Sequence, residues 1–233
     1  EGSTEKMGGS RGNCGLIDPF SLGWGLYTGG EKSRRRTAPG TSRSGGQSCS
    51  EGAKDTVAEL LENMIEISDN ESYNELVRLQ SSNRNFGEGC GFINAYLQEE
   101  EYTGSGVHTT LHPAVSSTAN DGLGDNVTCV EDCGKLLEKI YKGDCGSQED
   151  SGEMLHLLLN QENTLKIPGG LPKGAKVAHK TGETSEVQHD VGIIYGEDTD
   201  VILCIMVDGL TSAAEVYTQY HELTETIYDA LNP

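Results

Sequence analysis

The sequence predicts an α+β domain: a series of helices, then an antiparallel run of strands, then a closing helix. Three observations carry this. Apolar residues recur at helical spacing in several segments between residues 55 and 161. Three short strand patterns follow one another over 176–181, 187–196 and 200–208, with Gly196-Glu197-Asp198 as a hairpin connection between the last two. An amphipathic pattern over 212–231 then ends the chain, and helices followed by strands and a helix are the mark of an α+β layout.

Taken in order, Val57, Leu60, Leu61, Met64, Ile65 and Ile67 predict a first helix ending near Ser68, with Asp55 or Thr56 as its cap. Further helices are expected near 71–80, 91–101, 130–142 and 148–161. The third of the helices puts Phe92, Ile93, Tyr96 and Leu97 on one face. The fourth does the same with Leu136, Leu137, Ile140 and Tyr141, and Lys142-Gly143 supplies its stop. Between Tyr102 and Asn126 lies a polar connection rich in Gly, Ser, Thr and Asn. A loop of that length inside a compact domain is usually functional or disordered. Ile167-Pro168-Gly169-Gly170-Leu171-Pro172 is a second turn-rich break. The last helix is built on Val216, Tyr220, Leu223, Ile227 and Leu231.

A chain of 233 residues suits one domain with a sizeable core, although only 34% of its residues are apolar. The net charge of −20 argues against nucleic acid, whose phosphates need a basic face, and against anionic membrane surfaces. No run of 18 apolar residues is present, so no membrane span is expected. No export signal is visible either. A small or neutral substrate fits this composition. The charge is uneven: residues 1–54 hold eight Lys/Arg and five Asp/Glu, whereas 55–233 hold nine and 32. Residues 1–53 lack periodicity apart from one weak strand pattern over Phe20–Tyr27. They form a Gly/Ser/Arg-rich segment that reads as loop or disorder, or as an out-of-frame or mis-joined stretch. The domain proper is expected over 54–233, incomplete on its N-terminal side.

Seven cysteines at irregular spacing make no CxxC pair and read as free thiols. His108 and His112 lie four apart, as do Cys129 and Cys133, but His108 and His112 fall in a loop pattern beside Pro113, and no metal is expected. No cofactor is implied. His179 and His189 flank a strand end and read as satisfied strand histidines, with cleft lining as the alternative. His156 and His221 sit on helical patterns without a visible partner.

Two triplets carry chemistry. Ser68-Asp69-Asn70 falls where a strong apolar helix stops, and Lys180-Thr181-Gly182 falls at the end of a strand 112 residues later. As purely structural features they would be a helix C-terminal cap and a strand ending in a turn. In that order and context they resemble the penicillin-recognising serine hydrolases, the class A-like β-lactamases and penicillin-binding-protein-type enzymes. The resemblance covers about Asp55 to Asn232, and includes Val57–Asn74, Val130–Gly143, Leu155–Gln161, Ile167–Glu183 and His189–Tyr195. It implies a β-lactamase/transpeptidase-like fold, with a helical subdomain and an antiparallel sheet flanked by helices.

The resemblance also implies acyl transfer to a serine from a β-lactam or from a peptide or amide, with antibiotic response as the setting. Ser68 would relay a proton to the leaving nitrogen and Asn70 would hold the substrate amide. Lys180 would supply positive potential, Thr181 would bond a substrate carboxylate, Gly182 would let the strand lie close, and the amide of Glu183 would donate to the oxyanion. Ser3-Thr4-Glu5-Lys6 fits S-x-x-K, 65 positions before Ser68, and makes Ser3 the candidate nucleophile with Lys6 beside it. The glycines after Lys6 do not suit the buried helix that the nucleophile opens in this family. The connection Thr103–Asn126 contains no Glu. Asp121 and Asp125 are its only carboxylates, so poor deacylation is expected. The alternative is a non-catalytic relative, or a defective gene product, that keeps the fold and the cleft without a working nucleophile. A monomer is expected, and an extracellular or cell-envelope location follows from the resemblance alone.

Overall fold

The structure, a computed structural model, describes residues 51–111, 123–212 and 214–233. Ser3, Lys6, His112, Asp121 and the Phe20–Tyr27 pattern lie outside the described residues.

Five helices come first: α1 Glu51–Glu66, α2 Asn70–Leu79, α3 Phe86–Glu99, α4 Val130–Lys142 and α5 Gln148–Leu159. One 3₁₀ turn, Ile167–Gly170, leads into β1 Lys176–Glu183, β2 Gln188–Tyr195 and β3 Val201–Val207. Helix α6, Ala214–Leu231, follows. The three strands form one antiparallel sheet in the order β1-β2-β3.

The sheet divides the interior in two. Side chains alternate across a strand, and directly paired residues share a face. The register Lys180↔Val191 and Ala178↔Ile193 therefore puts these four on the side of the five helices. There Ala178, Val191 and Ile193 join Leu61, Met64, Leu76, Ile93, Leu137 and Leu158 in the larger core. On the other side Val177 and Ile194 pack with Ile167 and with Val216, Tyr220 and Tyr228 of α6. The Tyr220 hydroxyl lies 2.9 Å from the Gln188 carbonyl and 3.0 Å from that of Ile205, so it ties α6 to β2 and β3.

Several expectations need correction. Helix α1 begins at Glu51, so Asp55 and Thr56 lie inside it rather than at its cap. Helix α3 begins at Phe86, where the Asn85 side chain accepts from Glu88 N, and not near 91. Its buried face is Phe86, Gly89, Cys90, Ile93 and Leu97, and Phe92 is 53% exposed. Ile67, Tyr141, Leu223 and Leu231 are likewise exposed, and α6 buries Thr224 and Tyr228 instead of the last two. The side-chain misses come from placing a residue one position off a stripe whose width the sequence alone does not fix.

The polar connection after Tyr102 is anchored at both ends. Asn126 Oδ1 accepts from His108 N at 2.7 Å and Thr109 N at 3.0 Å, and its amide donates to the Tyr73 hydroxyl at 3.1 Å. Asn94 pairs with both backbone groups of Val107, each at 2.8 Å, and Asn74 Oδ1 accepts from Leu111 N. Here asparagine side chains replace the backbone partners that buried loop amides otherwise lack. No described helix is long and apolar enough to cross a membrane.

Candidate active site

Ser68 stands between α1 and α2 at φ +58°, in the left-handed region. For a residue with a Cβ this costs about 1 kcal/mol or more. The conformation is held on both sides. Asp69 N donates back to Asn63 O at 3.0 Å, and the Asp69 carboxylate caps α2 by accepting from Ser72 N at 2.6 Å. The triplet therefore caps the start of the next helix rather than the end of the first. Asn70 follows as the first residue of α2, with a buried Oδ1 that has no hydrogen-bond partner among the described residues.

Lys180 reaches this corner from β1, because alternation along the strand points it at the helices. Its Nζ lies 2.5 Å from Ser68 Oγ and 2.7 Å from Thr181 O, and the residue is 1% exposed. Burial pulls its pKa down to about 7. Asp190 and Glu183 pull it back up less strongly, and Lys166 adds to the fall. Near neutrality this amine therefore exists in both protonation states, within hydrogen-bond reach of a serine hydroxyl.

Thr181 points the other way, paired in register with Asp190. Asp190 is fully buried. It accepts from Ile167 N at 2.9 Å and contacts His179 Nδ1 at 2.9 Å. The Asp190 carboxylate thus ties β1, β2 and the 3₁₀ turn into one unit. Gly192 makes room for it, since a Cβ there would come within 2.6 Å of His179 Cβ. Just before the turn, Lys166 is fully enclosed. Its Nζ contacts Gly182 O at 3.4 Å, His189 O at 3.1 Å and Glu183 Oε2 at 3.4 Å, and burial lowers its pKa. Glu183 ends β1 at the mouth, where Asn163 Nδ2 donates to its other oxygen at 3.1 Å.

The structure thereby brings Ser68 and Lys180 into contact; Asn70 follows Ser68 at the start of α2, and Thr181, Gly182 and Glu183 follow Lys180 along β1. The sequence reading missed Lys166, Asp190 and Asn163. A lysine and an asparagine in a polar loop carry no periodic signal. Asp190 inside an apolar strand was the one visible clue, since an unpaired carboxylate is rarely buried.

His179 and His189 are both buried, one on Asp190 and the other with Nδ1 accepting from Val207 N, so neither lines an open cleft. His156 lies 3.4 Å from the Asn160 amide, and His221 Nε2 lies 2.9 Å from Leu165 O. Among the described residues no group of three or more His, Cys, Asp or Glu could hold a metal. The five described cysteines are free thiols.

The model of the β-lactamase enzyme family matches residues 32–231. The chain belongs to that family. The family is one of serine hydrolases, and the mixed helix-and-sheet layout is its fold. Among solved structures the chain is similar to a β-lactamase from Sphaerobacter thermophilus DSM 20745, at 20% identity and a TM-score of 0.67, over 91% of this chain and 80% of that one. It is similar to PBP-A at 20% identity and a TM-score of 0.62, over 91% and 77%. An ancestral class A β-lactamase matches at 16% identity and a TM-score of 0.68, over 94% and 87%. No curated protein matches.

Proposed function

We propose that this member of the family catalyses acyl transfer to a serine from a β-lactam or a peptide-like amide, and that it deacylates slowly. In the acylation step the serine Oγ bonds to the substrate carbonyl carbon, and the C–N bond breaks. The hydroxyl proton passes to the leaving nitrogen, with Ser68 as the relay. One observation carries the reading: the Lys180 amine, shifted to about 7, sits 2.5 Å from Ser68 Oγ. In its neutral form it accepts a proton from Ser68, and in its charged form it returns one and stabilises the anion forming beside it. The unpartnered Asn70 Oδ1 suits a substrate amide N–H.

Ser3 is the proposed nucleophile, with Lys6 activating it, on the S-x-x-K spacing alone. Slow deacylation follows from a connection, 103–126, with no glutamate to activate water. Asp125 is its one described carboxylate and is exposed. A point mutant of PBP-A forms an acyl-enzyme complex with penicillin G, which gives the chemistry a precedent on a similar fold. We further infer a monomer, a domain spanning 54–233 with 1–53 as a separate segment, and an extracellular or envelope location.

The test is to incubate the protein with a fluorescent penicillin, digest it and map the label. Stable label on the peptide containing Ser3 is expected. A folded protein that takes up no label sinks the reading in favour of a non-catalytic relative that keeps the cleft.

A further inference from the structure

The cleft has an unusual charge arrangement at the end of β1. A lysine ammonium has three N–H donors, and Lys166 Nζ has three acceptors in reach: Gly182 O, His189 O and Glu183 Oε2. Its side chain is 0% exposed, whereas that of Glu183 is 41% exposed. The cation is therefore sealed behind the strand with its donors in use, and the charge that meets solvent is the carboxylate.

Glu183 is not free to swing clear, because Asn163 Nδ2 grips its second oxygen, and the Asn163 side chain is itself braced by Leu165 N. Among the described residues, the other charges at this end do not restore a positive potential. Asp190 is a buried carboxylate with one oxygen on Ile167 N and the other on His179 Nδ1, and Lys180 is directed to the opposite face of β1, towards Ser68. Among the described residues, what remains for a ligand alongside Thr181 is a hydroxyl, the strand backbone and a carboxylate. These pair well with an uncharged amide, and a second carboxylate is repelled.

We propose that Glu183 is a specificity-determining residue that makes this end of the cleft select an uncharged amide over a free carboxylate. The substrate class is then a peptide-like acyl donor extended beyond the scissile bond, rather than one ending in an acid. This rests on reading the Lys180–Glu183 strand end as the substrate-binding half.

The test uses binding rather than turnover, so that it stands apart from the labelling experiment and needs no nucleophile. N-acetyl-alanyl-alanine is titrated as the free acid and as the C-terminal amide, by ligand-observed NMR, against wild type, Glu183→Gln and Glu183→Asp. Wild type is expected to prefer the amide. In E183Q the free acid should bind about fivefold tighter, the order expected for one partly exposed charge, with the amide changed less than about twofold. E183D should keep the wild-type preference, which separates charge from loss of packing. Preference of wild type for the acid, an E183Q ratio equal to that of wild type, or binding of neither ligand overturns the proposal. Penicillin itself carries a carboxylate, so labelling is compared in wild type and E183Q: no label in either protein, with the amide preference intact, would defeat acyl transfer and leave this inference standing.

Discussion

Lys180→Met should convert a pH-dependent stability into a flatter one. The lysine pKa falls from 10.5 to about 7 on folding, chiefly through burial. At about 1.4 kcal/mol per pKa unit, the charged amine costs the folded state about 5 kcal/mol relative to the neutral one. Below pH 7 both folded and unfolded chains hold the proton, and the cost is present in full. Between 7 and 10.5 the unfolded chain binds the proton and the folded chain does not, so stability rises with pH. Above 10.5 neither holds it and the cost is gone. Methionine has a similar reach and no charge, so the variant lacks this slope.

Urea denaturation of both proteins at pH 6, 7, 8 and 9 measures the effect. The stability of wild type minus that of K180M should be level below 7, then climb by about 2 to 3 kcal/mol by pH 9. Cys145 and Cys204, pushed up by burial to about 11 and about 12, pull the other way once the unfolded thiols ionise near 9. They are common to both proteins and drop out of the difference. A difference that stays constant across this range would refute the depressed lysine, and with it the proton-exchanging role at Ser68.

Three other variants probe the frame around it. Asp190→Ala strips the acceptor from Ile167 N and His179 Nδ1 in a fully buried setting, and should cost about 3 kcal/mol or more in urea denaturation; a loss below about 1 kcal/mol would mean that the brace is dispensable. Gly192→Ala drives a Cβ towards His179 Cβ and, at 2.9 Å, Ala178 O, and should lose about 1 to 3 kcal/mol, with no loss as the contrary outcome. Ser68→Gly relieves the φ of +58° and should raise stability by about 1 kcal/mol while abolishing penicillin labelling. Retained labelling in S68G would remove Ser68 from the proton route.

Where the sequence and the structure part, the cause is a tertiary contact that a linear pattern does not record. Helix α4 was legible to the residue, because Gly143 at φ +77° ends it in the left-handed conformation that glycine permits. Helix α3 was read five residues late because Gly87, Gly89 and Gly91 argue against a helix by propensity. Gly89 is there for another reason. A Cβ at that position would run into the Val77 carbonyl, so the glycine lets α3 lie directly on α2, and packing overrides the local cost.

The same distinction separates the two halves of the candidate site. Ser68, Asn70 and Lys180 were visible because they sit on strong periodic elements that end at them, and the ends of such elements are where the backbone must turn. The meeting of Ser68 and Lys180 at 2.5 Å across 112 residues could be inferred only through the family resemblance. Lys166, Asn163 and Asp190 were hidden because their roles are relational: each matters for which charge it neutralises, not for where it falls in a pattern. Residue type alone suggests an anion-attracting cleft with Lys180 at its centre. The burial of Lys166 behind an exposed Glu183 reverses that expectation at the strand end, while Lys180 stays committed to Ser68 on the other face. On the proposed mechanism, the lysine that exchanges protons and the lysine that could attract a carboxylate are thus different residues, one against Ser68 and the other against Glu183. The charge preference of the cleft can then change at Glu183 without disturbing the Lys180–Ser68 pair.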